Sequence, residues 1–249
     1  MIRSIFFDYG GTLDTSGQHW AEVIWRGYRR LAIPVSYNDY WLAYVHGERT
    51  LAKFPLIQPQ HNFLDLLRIK LNIQTSFLVD AKFWTTPAQA ELFPTGTVQE
   101  SHRQQVAEQI ATYCYEKVCR QMNQTRTVLA ALSEHYPLTL VSNFYGNLKA
   151  VLSDFSLDTY FTHVVESAIV GYRKPDPRIF QAAIDLQDAA PDEILVVGDS
   201  YTKDILPAHS LGCLTAWLNP TEKVSASSDK ENEATYTIHN LDQLQSLLS

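Results

Sequence analysis

The residues able to do chemistry in this chain stand where apolar runs stop. In "SIFFDYGGTLDT", Ser4 to Thr15, a hydrophobic run ends on Asp8 and passes at once into Gly10 and Gly11. A buried strand that delivers a carboxylate to a glycine turn presents either a nucleophile or a metal ligand. Leu138–Val141 ends on Ser142-Asn143, and Ile194–Val197 ends on Gly198-Asp199-Ser200, with Asp204 close behind. Between these two runs, "GYRKPDPRIF" sets Lys174 in a loop that enters a helix. Each residue alone has a purely structural explanation. An Asp before glycines caps a turn, a Ser-Asn pair caps a helix, two acids five apart serve as N-cap and first-turn charge, and a lone lysine is solvated. Their joint placement favours a site, because the carboxyl ends of strands in an open parallel sheet form one ligand-binding edge. Asp8, Ser142, Lys174, Asp199 and Asp204 are therefore expected to converge there.

The elements that must position them are legible as short buried runs. Ile2–Phe7, Leu138–Val141, His163–Val165 and Ile194–Val197 read as strands of a parallel sheet with crossover helices. From about Gln18 to Met122 the chain turns polar, aromatic and helical in pattern, over Trp20–Leu31, Tyr40–Leu51, Asn62–Leu71 and Val98–Met122. Pro55, Pro59, Pro87 and Pro94 limit helix length there. The expectation is a Rossmann-like three-layer α/β core, 1–17 and 123–249, interrupted by a helical domain over 18–122. Residues 123–135 read as a core helix leading into the second strand. "TEKVSASSDKENEA", Thr221–Ala234, reads as a surface loop, and "TYTIHNLDQLQSLL" as a last strand and short helix.

Bulk composition narrows the partners. The 249 residues are 45% hydrophobic and 19% charged with a net charge of −7, so no basic surplus exists to neutralise a nucleic-acid backbone. No apolar stretch approaches the roughly 20 residues that span a bilayer, and Asp8 interrupts the first hydrophobic run too early for a signal peptide. Cys114, Cys119 and Cys213 are an odd set without metal-ligand spacing, read as reduced structural thiols of a cytoplasmic protein. Oligomeric state is left open.

Four ordered motifs resemble those of the haloacid dehalogenase (HAD) superfamily of hydrolases: "DYGGTLD" (8–14), "LVSN" (140–143), "YRKPDP" (172–177) and "VVGDSYTKDI" (196–205). The resemblance covers roughly 1–17 and 123–218, and the helical insertion resembles that family's C1-type cap. It implies Asp8 as the nucleophile that accepts a phosphoryl group. It implies Ser142, with its neighbour Asn143, and Lys174 as further catalytic residues: Ser142 on a phosphoryl oxygen, Lys174 holding carboxylate and phosphate together. It also implies Mg²⁺ on Asp8, the Gly10 carbonyl, Asp199 and Asp204, a hard cation on oxygen ligands. The partner implied is a small phosphorylated substrate.

The sequence departs from the pattern at Gly10. In the family's phosphatases a second Asp stands there, protonating the leaving group and then activating water. Glycine keeps the carbonyl and loses the acid, and Asp14 lies displaced along the turn. The resemblance therefore implies a slow phosphatase, or one confined to good leaving groups such as acyl phosphates. Two other readings stay open: a 2-haloacid dehalogenase-like or phosphonatase-like C–X or C–P hydrolase, and a catalytically impaired module that binds a phospho-ligand or a protein. The dehalogenase branch carries a Ser-Asn fourth motif where this chain has "GDSYTKD". The phosphonatase branch needs a cap lysine, for which Lys53 is the candidate, or else an ordinary surface residue. His19, Trp20, His46, Glu48 and Arg49 are candidates for contact with substrate, against the alternative that the aromatics pack helices together.

Overall fold

A computed structural model describes residues 1–85, 98–220 and 233–248. Pro87, Pro94 and most of Thr221–Ala234 lie outside the described residues. The chain divides into two compact units, Met1–His19 with Val118–Ser249, and Trp20–Lys117.

The first unit is built on six parallel strands: β1 (Ser4–Phe7), β2 (Leu138–Ser142), β3 (Phe161–Glu166), β4 (Ile194–Gly198), β5 (Leu214–Leu218) and β6 (Tyr236–Ile238). Their order is β3-β2-β1-β4-β5-β6. β1 pairs with β2 through Ile5 to Leu138 and with β4 through Ile5 to Leu195. Every residue of β1, β2 and β4 is buried, which is what central strands covered on both faces require and why they are continuous apolar runs. The expected α/β architecture with a helical insertion is observed. The strand order reverses direction between β1 and β4, so the crevice beyond their carboxyl ends is the place where such a sheet receives ligands. On one face Phe6, Val141, Val196, Ile179 and Phe180 form a shared apolar cluster. At roughly 1.5–3 kcal/mol per fully buried large apolar side chain, this packing holds the strand ends in fixed register.

Two elements differ from the sequence reading. β5, "LTAWL", was not among the expected strands, since its run is short and partly exposed at Leu214 and Trp217. The helices expected over Val98–Met122 and 123–135 are one continuous helix, Glu100–Ser133. The polar run at Asn123–Thr127 looks like an interruption, but its side chains are used by the fold. Thr125 Oγ1 donates to the Leu13 carbonyl at 2.8 Å, and Arg126 donates to the Phe155 carbonyl at 3.0 Å.

The second unit is helical: α1 (Trp20–Arg30), α2 (Tyr37–Lys53), α3 (Phe63–Asp80) and the first half of the long helix, α4 (Glu100–Ser133). Ser36 caps α2 by accepting the Asp39 N–H at 3.1 Å. Asn62 and Asp65 form a reciprocal capping box at the start of α3. The aromatics pack helix on helix, Trp20 against Phe63 at 5.5 Å and Trp25 against Tyr40 at 5.0 Å between centroids. Among the described residues no helix is long and apolar enough to cross a membrane.

Candidate active site

β1 and β4 each run into a single wide turn, Tyr9–Leu13 and Tyr201–Ile205, and these turns carry the acids. Asp8 leaves the end of β1, its own N–H donating to the Val197 carbonyl of β4 at 2.9 Å. That bond ties the two strand ends together. Asp8, Asp199 and Asp204 offer oxygens that all lie within 4.8 Å of one another. Lys174 reaches into the group from its loop, and its Nζ donates to Asp8 Oδ1 at 2.8 Å and to Asp204 Oδ1 at 2.6 Å. The lysine side chain is 1% exposed, so this is a buried ion cluster and not a surface pair.

Three carboxylates face one ammonium, and the electrostatics register the imbalance. The Asp8 carboxyl is pushed up to about 6, chiefly by burial and by Asp204, while Lys174 and Thr12 pull it down. Asp199 is pushed up to about 8, by burial first and then by Asp8, Asp204 and Asp14. Burial opposes the Lys174 charge, but Asp204 and Asp8 outweigh it and hold its pKa above the ordinary lysine range. Three carboxylates whose oxygens lie within 4.8 Å of one another are a donor set suited to a hard divalent cation. Asp8, Asp199 and Asp204 fit Mg²⁺ on that ground.

Of the remaining sequence candidates, Ser142 is buried at the end of β2. Asn143 clamps the lysine loop: its Nδ2 donates to the Lys174 carbonyl at 3.0 Å and its Oδ1 accepts the Lys174 N–H at 2.8 Å. Both ends of that amide are engaged, which makes Asn143 a positioning residue for Lys174. Gly10 is exposed with φ −80° and ψ 110°, and a Cβ built on it meets nothing among the described residues within 4 Å. Asp14 is buried, its Oδ1 accepting the Gly11 N–H at 2.7 Å. In the helical unit, Glu48 pairs with Lys70 at 2.7 Å and His46 stacks on Phe77 at 4.6 Å between centroids. His19, Arg49 and Lys53 are exposed.

Sequence reasoning missed three participants. The Thr12 hydroxyl lies 3.2 Å from Asp8 Oδ2 and 3.3 Å from Asp199 Oδ1 while accepting the Asp199 N–H at 3.0 Å, so it links the two turns. Its place in the turn that follows Asp8 was the available signal. Gly11 has φ +101°, and a Cβ there would lie 2.5 Å from both Asp199 carboxylate oxygens. The Trp217 indole donates to the Asp199 carbonyl at 2.9 Å, a contact between strands with no local trace in sequence.

A lysine-bridged carboxylate cluster thus stands at the switch point of the parallel sheet. The chain matches the model of the haloacid dehalogenase-like hydrolases over residues 2–212 and belongs to that family. It is 34% identical over 92 residues to the glyceraldehyde 3-phosphate phosphatase of Pyrococcus furiosus, 37% of this chain and 38% of that one. It is 29% identical over 131 residues to the pyrimidine 5'-nucleotidase YjjG of Escherichia coli, 51% of this chain and 58% of that one. Both alignments thus span less than two thirds of the relative. The HAD-hydrolase YfnB of Bacillus subtilis superposes with a TM-score of 0.58 at 16% identity, covering 100% of this chain and 99% of that one, a likeness of fold.

Proposed function

We propose that this hydrolase is a Mg²⁺-dependent phosphatase acting on small phosphorylated metabolites through a phosphoryl ester on Asp8. The observation that carries the reading is the buried Lys174 ammonium, bonded at once to Asp8 and Asp204 beside a third acid. A phosphate must approach a carboxylate of like charge, and a fixed cation in a dry site offsets that repulsion. An Asp8 oxygen attacks phosphorus and the bond to the leaving oxygen breaks. Ser142 donates to a transferring phosphoryl oxygen, and Asn143 holds the backbone that aims Lys174. Asp8, the Gly10 carbonyl, Asp199 and Asp204 would hold Mg²⁺, which when bound neutralises charge on the transferring group. The phosphatase names of the two relatives support a phosphoester substrate.

Gly10 sets the rate. General acid–base catalysis is worth about 10²–10⁴-fold, or roughly 3–5 kcal/mol of barrier, and no side chain at position 10 supplies it. Turnover is therefore slow on ordinary monoesters and best on acyl phosphates, whose leaving group departs without a proton. The test is phosphate release from acetyl phosphate and glycerol 2-phosphate with and without Mg²⁺, beside Asp8→Asn. Mg²⁺-dependent release that favours acetyl phosphate and vanishes in the variant is expected. Metal-independent halide release from 2-chloropropionate, or Mg²⁺ binding with no turnover, contradicts the reading.

A further inference from the structure

β2 and β3 end side by side, with Ser142 in register with Glu166, and the end of β3 grips the chain that leaves β2. The Glu166 carboxylate is buried and accepts the N–H groups of Gly146, Asn147 and Leu148, the last at 3.4 Å. Gly146 has φ +95°, and that left-handed step turns successive N–H groups to one side, the concave arrangement that receives an anion. The next residue, Ser167, holds the same segment by its hydroxyl. It accepts the Phe144 N–H at 3.1 Å and donates to the Phe144 carbonyl at 3.2 Å. A buried carboxylate costs free energy unless hydrogen bonds satisfy it, so Glu166 and the segment 146–148 are held in place together.

We infer that Glu166, with Ser167, is a positioning residue for the phosphoryl transfer proposed above, acting through the segment 142–148 on Ser142 and Lys174. The inference rests on the roles proposed for those two residues. The segment that Glu166 and Ser167 hold begins one residue after Asn143, whose amide bonds both the N–H and the carbonyl of Lys174. Fixing that segment fixes Asn143, Asn143 fixes the backbone that carries Lys174, and the lysine reaches Asp8 at 2.8 Å. Ser142 stands at the head of the same segment and takes its aim from the same anchors. Asp8 and Asp199 are anchored elsewhere, by bonds from the Asp8 N–H to the Val197 carbonyl and from the Asp199 N–H to the Thr12 hydroxyl. The metal site therefore keeps its frame when the segment loosens, while Ser142 and Lys174 lose theirs. A misplacement of about 1 Å in such groups is worth about 10²-fold in rate.

Glu166→Gln keeps the size of the side chain but turns an amide N–H toward N–H donors, and Ser167→Ala removes both bonds to Phe144 with little change in volume. Phosphate release from acetyl phosphate at saturating Mg²⁺ is measured for each, alone and combined with Ser142→Ala, beside amide hydrogen exchange of the full chain. The expected kcat falls about 10²-fold in Glu166→Gln and by less in Ser167→Ala, while the Mg²⁺-induced rise in melting temperature stays that of wild type. In the Ser142→Ala background the loss is smaller by about 3-fold or more, the coupling expected of residues that act as one unit. The Lys174 N–H exchanges faster in Glu166→Gln and the Asp8 N–H does not. An unchanged kcat, a loss of equal size in the Ser142→Ala background, or Lys174 protection that does not move overturns the inference and leaves the phosphatase reading standing. If Glu166→Gln fails to fold, Ser167→Ala is judged by the same readings. A wild type without Mg²⁺-dependent release overturns the phosphatase reading and the inference with it.

Discussion

The turn after β1 and the turn after β4 are built alike and equipped differently. Each follows a fully buried strand, opens on an acid, and coils through one wide turn. Each also has a glycine where a carboxylate needs room. A Cβ on Gly11 would meet both Asp199 oxygens at 2.5 Å, and a Cβ on Gly198 would lie 2.4 Å from the Asp204 Cβ. Gly10 is not of this kind, since its backbone is ordinary and its surroundings are open. Two of the glycines are thus imposed by the packing of acids, while the third marks a side chain the architecture would accept. The β4 turn keeps two acids in the cluster and the β1 turn contributes one, and that difference is one of chemistry, not of framework.

Breaking the charge balance that joins the two turns gives the largest effect. Lys174→Met leaves the buried Asp8 and Asp204 without their cation and is expected to cost about 3–5 kcal/mol at pH 7, read by urea unfolding without metal. The loss shrinks at pH 5, because Asp8 can then hold a proton instead. An unfolding midpoint unmoved by the substitution contradicts the account of the cluster.

The glycine comparison is sharpened by three alanines. Gly198→Ala overpacks the acids and is expected to cost about 1–3 kcal/mol; Gly11→Ala adds the strain of a left-handed φ, of order 1–3 kcal/mol more. Gly10→Ala should stay within about 0.5 kcal/mol of wild type. Thermal and urea melts of the three rank them, and a Gly10→Ala as damaging as the others removes the distinction.

A smaller effect follows from pH. Asp8 at about 6 and Asp199 at about 8 both lie above their unfolded values near 3.9. A raised carboxyl contributes stability that is full below the unfolded pKa and is lost as pH rises through the folded one. Metal-free protein therefore weakens between about pH 4 and pH 8, and Mg²⁺, which competes with those protons, restores more at the upper end. The Mg²⁺-induced rise in melting temperature should be larger at pH 8 than at pH 5.5. Equal shifts at both values argue against these carboxyls as the ligands.

The sheet and the convergence of its strand ends were legible because buried central strands leave uninterrupted apolar runs, and each run here stops at Asp8, Ser142 or Gly198. β5 was illegible for the converse reason, a five-residue edgeward run with two half-buried members. The long helix α4 was misread as two because Asn123–Thr127 lacks an apolar stripe, its polar groups serving tertiary bonds to Leu13 and Phe155. Within the site, residue types announced Asp8, Lys174, Asp199 and Asp204, but not their contacts. That Thr12 bridges two acids, that Gly11 yields to Asp199, and that Asn143 holds the Lys174 backbone are facts of approach between distant segments. A single chain of letters carries no distances.

The central proposal is that Asp8, Ser142, Lys174 and the carboxylate cluster serve phosphoryl transfer and lack only a proton carrier at position 10, where a Cβ would meet nothing among the described residues within 4 Å. Steady-state turnover of an alkyl phosphomonoester such as glycerol 2-phosphate by Gly10→Asp at saturating Mg²⁺ tests it most directly. The account predicts a kcat about 10²–10⁴-fold above wild type. A folded, Mg²⁺-binding Gly10→Asp with no gain would show that the missing acid is not what limits this enzyme.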